Sequence, residues 1–127
     1  MVNIPRTSHV LVVDDEWLIR WALREALEAK GYRVTEAGDA ASARRALAED
    51  NPPDAVVLDY RLPDSNDLGL LTTIRHNEPP PPVIMMTAHG TSELVKGALD
   101  LGAYRVVSKP FEMVQMADLV AEALAVR

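Results

Sequence analysis

Four short apolar runs in this chain each end on a residue that can carry charge or hydrogen-bond an anion, and that coincidence restricts the fold more than any other feature. Ala55-Val56-Val57-Leu58 stops at Asp59, inside the stretch from Asp54 to Asp64, and a turn containing Pro63 follows at once. His9-Val10-Leu11-Val12-Val13 stops at Asp14-Asp15-Glu16, Val83-Ile84-Met85-Met86 at Thr87, and Val106-Val107-Ser108 at Lys109-Pro110. Unbroken apolar runs of this length, bounded by turn signals, are strands buried on both faces, the habit of parallel sheets. Parallel strands share one C-terminal edge. That edge then carries three aspartates, a hydroxyl and an ammonium, a set suited to a divalent cation and a phosphoryl group.

The segments between the runs have helical spacing. Residues 16–30 place Ile19, Ala22, Leu23, Ala26 and Leu27 on one stripe, with Arg20, Arg24 and Glu28 on the other side, and Gly31 closes the helix. Residues 32–37 form a more polar strand, expected at the sheet edge. Asp39 caps an Ala/Arg-rich helix to about Glu49, which Asn51-Pro52-Pro53 ends. A third helix is expected over 66–76, burying Leu68, Leu71 and Ile74. Pro79-Pro80-Pro81-Pro82 is a stiff loop. Helices near 91–101 and 112–126 flank a strand near 104–108, and Gly97 softens the fourth helix. Five strand–helix units of this kind imply an α/β fold with right-handed crossovers and a ligand crevice beyond the strand ends.

The 127 residues fit one domain, with residues 1–8 expected as a flexible lead. A net charge of −6 argues against a nucleic-acid-binding surface, and the absence of cysteine excludes disulfides and thiolate metal sites. The N-terminal stretch lacks the apolar core of a signal peptide, and no apolar run reaches the ~20 residues of a membrane helix. A cytoplasmic, single-domain protein is the expectation.

Taken singly, the polar strand ends have ordinary explanations. Asp14-Asp15 could cap the first helix, Asp59 a turn, and Lys109 could be a solvated lysine. Together, on strands otherwise apolar, they exceed what capping needs. Clustered carboxylates raise one another's pKa unless a cation sits among them, and an all-oxygen site with few protein ligands suits Mg²⁺. A lysine opposite offers a point charge to a phosphoryl oxygen. Trp17 and Trp21, four apart on the first helix, are expected to pack, and His9, His76 and Glu16 are expected to be ordinary structural or solvated residues.

The residues Val12-Val13-Asp14-Asp15-Glu16, Asp59 with Leu62-Pro63-Asp64, Met85-Met86-Thr87-Ala88, Gly102-Ala103 and Lys109-Pro110-Phe111 together resemble a two-component response-regulator receiver domain. The match runs from the first strand to the last helix, and Thr87 to Thr91 with Gly102 to Tyr104 look most like NtrC-type transcription activators. The resemblance implies a five-stranded parallel sheet of order 2-1-3-4-5 with helices on both faces, flavodoxin- or CheY-like. It implies Asp59 as phosphoacceptor from a sensor histidine kinase, and Mg²⁺ held by Asp14, Asp15, Asp59 and the Arg61 carbonyl. Thr87 and Lys109 would hold the phosphoryl group, Lys109-Pro110 would be cis, and the phosphate charge would move the loop after Thr87 and the fourth helix. Arg61 and His89, each two residues past a site residue, would tune hydrolysis. The fourth helix, fifth strand and fifth helix would meet an output domain, downstream protein or second copy, with Lys96, Arg105 and Glu112 as contacts. No direct nucleic-acid or membrane contact is expected, and a stand-alone regulator and a piece of a longer one fit the sequence equally.

Two positions depart from that pattern. Val106 stands where receivers usually carry Tyr or Phe, and Tyr104 is expected to share its strand face, in a packing role or as a substitute. Asp67 stands where glycine is usual, so either the turn differs or Asp67 adopts a left-handed conformation. A haloacid-dehalogenase-type phosphatase would need a second aspartate at Arg61, and a flavodoxin-type module would not place Asp14-Asp15-Glu16 in its phosphate loop. An unphosphorylated docking or dimerisation module is the remaining alternative.

Overall fold

The computed structural model describes residues 7–126, so most of the expected lead lies outside the described residues. Ser8 is already tied to the sheet, its carbonyl accepting from the Arg33 amide at 2.9 Å. Five strands alternate with five helices: β1 His9–Val13, α1 Trp17–Ala29, β2 Arg33–Ala37, α2 Ala40–Leu47, β3 Ala55–Asp59, α3 Gly69–Arg75, β4 Val83–Thr87, α4 Ser92–Asp100, β5 Arg105–Ser108 and α5 Met113–Ala125. All pairings are parallel, in the order β2-β1-β3-β4-β5. The polar second strand is at an edge, as its composition requires.

Alternate residues of each strand feed two cores. Leu11, Val13, Val56, Leu58, Val83 and Met85 pack with α2, α3 and the end of α4. Val10, Val12, Val57, Ile84 and Met86 pack with Leu23 and Leu27 of α1 and Met116, Ala117, Val120 and Ala123 of α5. Burial on both faces explains why β1, β3 and β4 are apolar without alternation.

Local signals set the helix ends. Gly31 has φ +90° after α1, and the Tyr32 amide donates to Leu27 O while Gly31 donates to Glu28 O, the paired bonds of a Schellman cap. Asp39 accepts from the Ser42 amide at 2.7 Å and caps α2, and Thr91 caps α4 through Leu94. Lys109–Pro110 is cis, and so is Glu78–Pro79.

Several expectations need correction, and the alternative left open at Asp67 is decided. The third helix starts at Gly69, not near 66, because Asp67 Oδ1 accepts from the Gly69 amide at 2.8 Å and holds the preceding residues in a turn. Leu70, Leu71 and Ile74 are its buried residues, and Leu68 is only half-buried. No described residue other than glycine has positive φ, so Asp67 is not left-handed and the turn differs instead. Trp17 and Trp21 do not pack inward: they are 68% and 53% exposed, on the side of α1 away from Leu23 and Leu27. Arg20 is not on the solvent side but is largely covered, its head paired with Glu36 of β2.

Candidate functional site

Strand register builds the site. Val13 pairs with Leu58, so Asp14 and Asp59 follow at the same level on neighbouring strands. Asp59 pairs with Met86, so Thr87 extends one residue further, and Thr87 pairs with Ser108, so Lys109 extends one further still. The edge therefore steps outward from the two aspartates to the lysine. The Lys109 amide donates to Thr87 O at 2.8 Å and fixes the last step.

At the foot of the step, Asp14 is fully buried and Asp59 is 6% exposed. Lys109 Nζ bridges them, 2.9 Å from Asp14 Oδ2 and 3.2 Å from Asp59 Oδ2. Asp15 is exposed at the mouth, and Asp14, Asp15 and Asp59 each offer an oxygen lying within 4.8 Å of the others'. Asp14 Oδ1 accepts from the Glu16 amide, and Glu16, which takes the cap position of α1, makes no side-chain cap bond. Helix capping thus leaves the Asp15 carboxylate unused. Glu16 stays mostly exposed, 3.7 Å from Lys109 Nζ.

Thr87 is buried, and its Oγ1 accepts from the His89 amide at 3.2 Å. Gly90 lies close behind it, where a Cβ would stand 3.2 Å from Thr87 Cγ2. The Arg61 amide donates to Asp59 Oδ1 at 3.3 Å, and Arg61 is exposed beside it. Asp15, Glu16, Asp59, Tyr60, Arg61, Thr87, Ala88, His89 and Lys109 line one cavity of about 300 Å³. The structure thus brings every sequence-predicted site residue except the buried Asp14 to the cavity wall, and Asp14 lies directly beneath through Lys109.

Burial, reinforced by the neighbouring charge of Asp14, raises the Asp59 pKa from 3.8 to about 6, although Lys109 and the Arg61 amide pull it down. Burial works against the Lys109 ammonium, but Asp14 and Asp59 outweigh it and hold its pKa above the ordinary value. Two desolvated carboxylates sharing a single ammonium leave negative charge in excess. A hard-oxygen set with that excess fits a small divalent cation.

Two contributors were not apparent from the sequence. Asp64 accepts from the Ala40 and Ala41 amides at 2.8 and 3.0 Å, tying the turn after β3 to the start of α2. Arg20 reaches the Asp14 carbonyl at 2.6 Å. Neither bond has a local sequence signal: the first joins segments distant in the chain, and the second depends on Arg20 being held by Glu36 of β2. Tyr104 also needs correction: it packs with the α1–α5 core beside Glu122, whereas Val106 packs with the opposite core. Tyr104 lies ahead of β5, outside its pleat, so spacing two residues apart does not place them on one face.

The comparisons agree with this architecture. The family model described as "Response regulator receiver domain" matches residues 10–121. The chain is 37% identical over 116 residues to the DNA-binding transcriptional regulator NtrC of Escherichia coli (strain K12), a match covering 91% of this chain and 24% of that protein. It thus spans about a quarter of the length of such relatives. The receiver domain of NtrX from Brucella abortus is 39% identical, with a TM-score of 0.81 over 93% of this chain and 99% of that one. A CheY-like receiver domain protein from Methanospirillum hungatei JF-1 superposes with a TM-score of 0.87 at 26% identity, covering 94% and 95% of the two chains. Family match, sequence identity and strand order converge: the chain belongs to the response regulator receiver domains, which act as phosphoacceptor switches and not as classical enzymes.

Proposed function

We propose that Asp59 accepts a phosphoryl group from the phosphohistidine of a sensor histidine kinase, and that the resulting charge switches the chain's partner contacts. The observation that carries this reading is the buried Asp59, bridged to Asp14 by Lys109 and lining a cavity with Thr87 in its wall. An Asp59 carboxylate oxygen bonds to phosphorus as the N–P bond of the donor breaks, and the imidazole leaves. Asp14, through water, with Asp15, Asp59 and the Arg61 carbonyl would hold Mg²⁺, which supplies positive charge to the crowded carboxylates and phosphoryl oxygens. Lys109 moves its ammonium from Asp59 to a phosphoryl oxygen. Thr87 gives up its bond from the His89 amide and donates its hydroxyl to the phosphate, drawing residues 88–91 and α4 after it. The chain also catalyses the loss of its own phosphate.

The test is incubation with Mg²⁺ and acetyl phosphate, followed by intact mass and size-exclusion chromatography. An acid-stable, base-labile gain of ~80 Da supports the reading, and no adduct with Mg²⁺ bound sinks it. A shift in oligomer size would support the α4–β5–α5 surface as the partner face, where Lys96, Arg105 and Glu112 are all exposed. The likeness to NtrC makes transcription control the proposed output, in the cytoplasm; among the described residues no helix is long and apolar enough to cross a membrane. Val106 favours one second reading, a receiver used for docking or dimerisation without phosphorylation.

Arg61 is exposed beside Asp59, and we expect its guanidinium to cover the phosphate partly and slow hydrolysis. Arg61→Ala should then shorten the phosphoprotein's lifetime several-fold, by about 1 kcal/mol of barrier; an unchanged lifetime rules the shield out.

Trp17, Leu18 and Trp21 present three large apolar side chains to solvent just past the acidic turn. Exposed tryptophans beside a reactive mouth are the kind of residue on which a protein donor anchors. Trp17→Ala with Trp21→Ala should leave phosphorylation by acetyl phosphate unchanged but slow transfer from the cognate kinase by about 10-fold or more. Equal rates from the kinase would remove α1 from its docking surface.

A further inference from the structure

Arg20 lies in the second layer behind the acidic turn, and its contacts are too specific for a solvated helix residue. Its Nη1 donates to the Asp14 carbonyl at 2.6 Å, while its Nε donates to Glu36 Oε1 on β2 at 3.1 Å. Glu36 is held from its other oxygen by Arg24 Nη1 at 2.7 Å. The guanidinium passes over Gly38, where an added Cβ would stand 3.2 Å from Nη1 and 3.8 Å from the central carbon. Positive φ among the glycines is confined to Gly31 and Gly102, so at Gly38 it is space, not backbone conformation, that the missing side chain provides. A slot, an anchor and a directed donor meet at one carbonyl.

That carbonyl controls where Asp15 goes. The Asp14 amide is already bonded to Ala37 O at 3.1 Å, and Asp14's carboxylate is held by Lys109 and the Glu16 amide. The peptide joining Asp14 to Asp15 is planar, so fixing its carbonyl fixes the plane from which the Asp15 carboxylate departs. Asp15 is exposed and has no comparable packing of its own. We propose that Arg20, clamped by Glu36 through the slot over Gly38, is the positioning residue that holds the Asp14–Asp15 peptide in its cation-binding orientation. The inference rests on Asp14, Asp15 and Asp59 being the Mg²⁺ ligands. Arginine's planar fork meets Glu36 and the carbonyl from two separate nitrogens, Nε and Nη1, whereas a lysine has a single nitrogen to offer both.

The test is Mg²⁺ affinity by calorimetric titration, with urea unfolding midpoints measured in EDTA and in saturating Mg²⁺. Arg20→Met should weaken Mg²⁺ binding about 10–100-fold, as loss of outer-shell partners commonly does, and Arg20→Lys should recover part of the loss. A purely structural arginine would lower both midpoints equally, whereas a positioning one lowers chiefly the Mg²⁺-dependent gain. Gly38→Val leaves every charged group in place but fills the slot, and it should also weaken binding, several-fold. Wild-type affinity in a folded Arg20→Met protein overturns the inference, as does wild-type affinity in Gly38→Val should Arg20→Met fail to fold. Wild-type protein that binds no Mg²⁺ removes the ligand assignment itself, and the role of Arg20 falls with it.

Discussion

Asp59→Asn is expected to abolish the ~80 Da adduct completely and, in the absence of Mg²⁺, to make the protein more stable. Both effects have one origin. Asp59 sits desolvated beside Asp14, and its pKa rises from 3.8 to about 6. An acid whose folded pKa is raised favours the folded state in its protonated form, so its contribution to stability declines as pH rises from about 4 through 6. Above pH 7 the ionised carboxylate works against folding by an amount on the order of 2–3 kcal/mol, were it acting alone. Asparagine keeps the shape and a hydrogen-bond acceptor for Lys109 but carries no charge. A net stabilisation of about 1–2 kcal/mol at pH 8 is therefore expected, vanishing near pH 4. Mg²⁺ should reverse the order by stabilising the wild type more than the variant. Urea unfolding at pH 4 and pH 8, with EDTA or Mg²⁺, measures all of this. A variant no more stable than wild type in EDTA at pH 8 would show that Lys109 already neutralises the pair. The chemical result stands apart, since an adduct retained by the variant would place the acceptor elsewhere.

Lys109→Met should act in the opposite direction and more strongly. Lys109 is the cation between Asp14 and Asp59, at 2.9 and 3.2 Å, and both carboxylates are buried. Removing one partner of a buried ion pair typically costs about 3–5 kcal/mol, because the remaining charge is left without compensation. Here two charges are left facing each other. The loss should be largest above pH 7 and should shrink as pH falls through 6, where one carboxylate takes up a proton and the repulsion ends. Saturating Mg²⁺ should restore much of it at pH 8 while phosphorylation stays slow, since no ammonium remains to receive the phosphoryl oxygen. A stability deficit independent of both pH and Mg²⁺ would mean that the lysine stem, and not its charge, is what the fold needs.

Most of the architecture was legible in the sequence because burial on two faces writes itself as unbroken apolar runs. β1, β3 and β4 could be read to within a residue, as could Gly31 as the end of α1 and Asp39 as the cap of α2. The polar composition of β2 likewise gave away its place at the edge. The strand-end residues Asp14, Asp15, Asp59, Thr87 and Lys109 were identifiable as a set, since they follow the ends of four apolar runs.

Other features depended on contacts between distant segments. Helical spacing put Arg20 on the outer side of α1, but spacing carries no information about Gly38 and Glu36, which open a slot and offer an anchor from the next strand. The same limit placed Trp17 and Trp21 in the core, because an aromatic pair four residues apart fits a buried face and an exposed one equally. Tyr104 and Val106 were assigned one face by a strand period that does not extend ahead of β5. What the sequence determined by itself was which residues end the strands, for periodicity and turn chemistry are local. Only the tertiary structure decided their levels: the register of β1, β3, β4 and β5 sets Asp14 beside Asp59 and carries Lys109 back over both. That register follows from how two cores pack, and no single segment of the chain contains it.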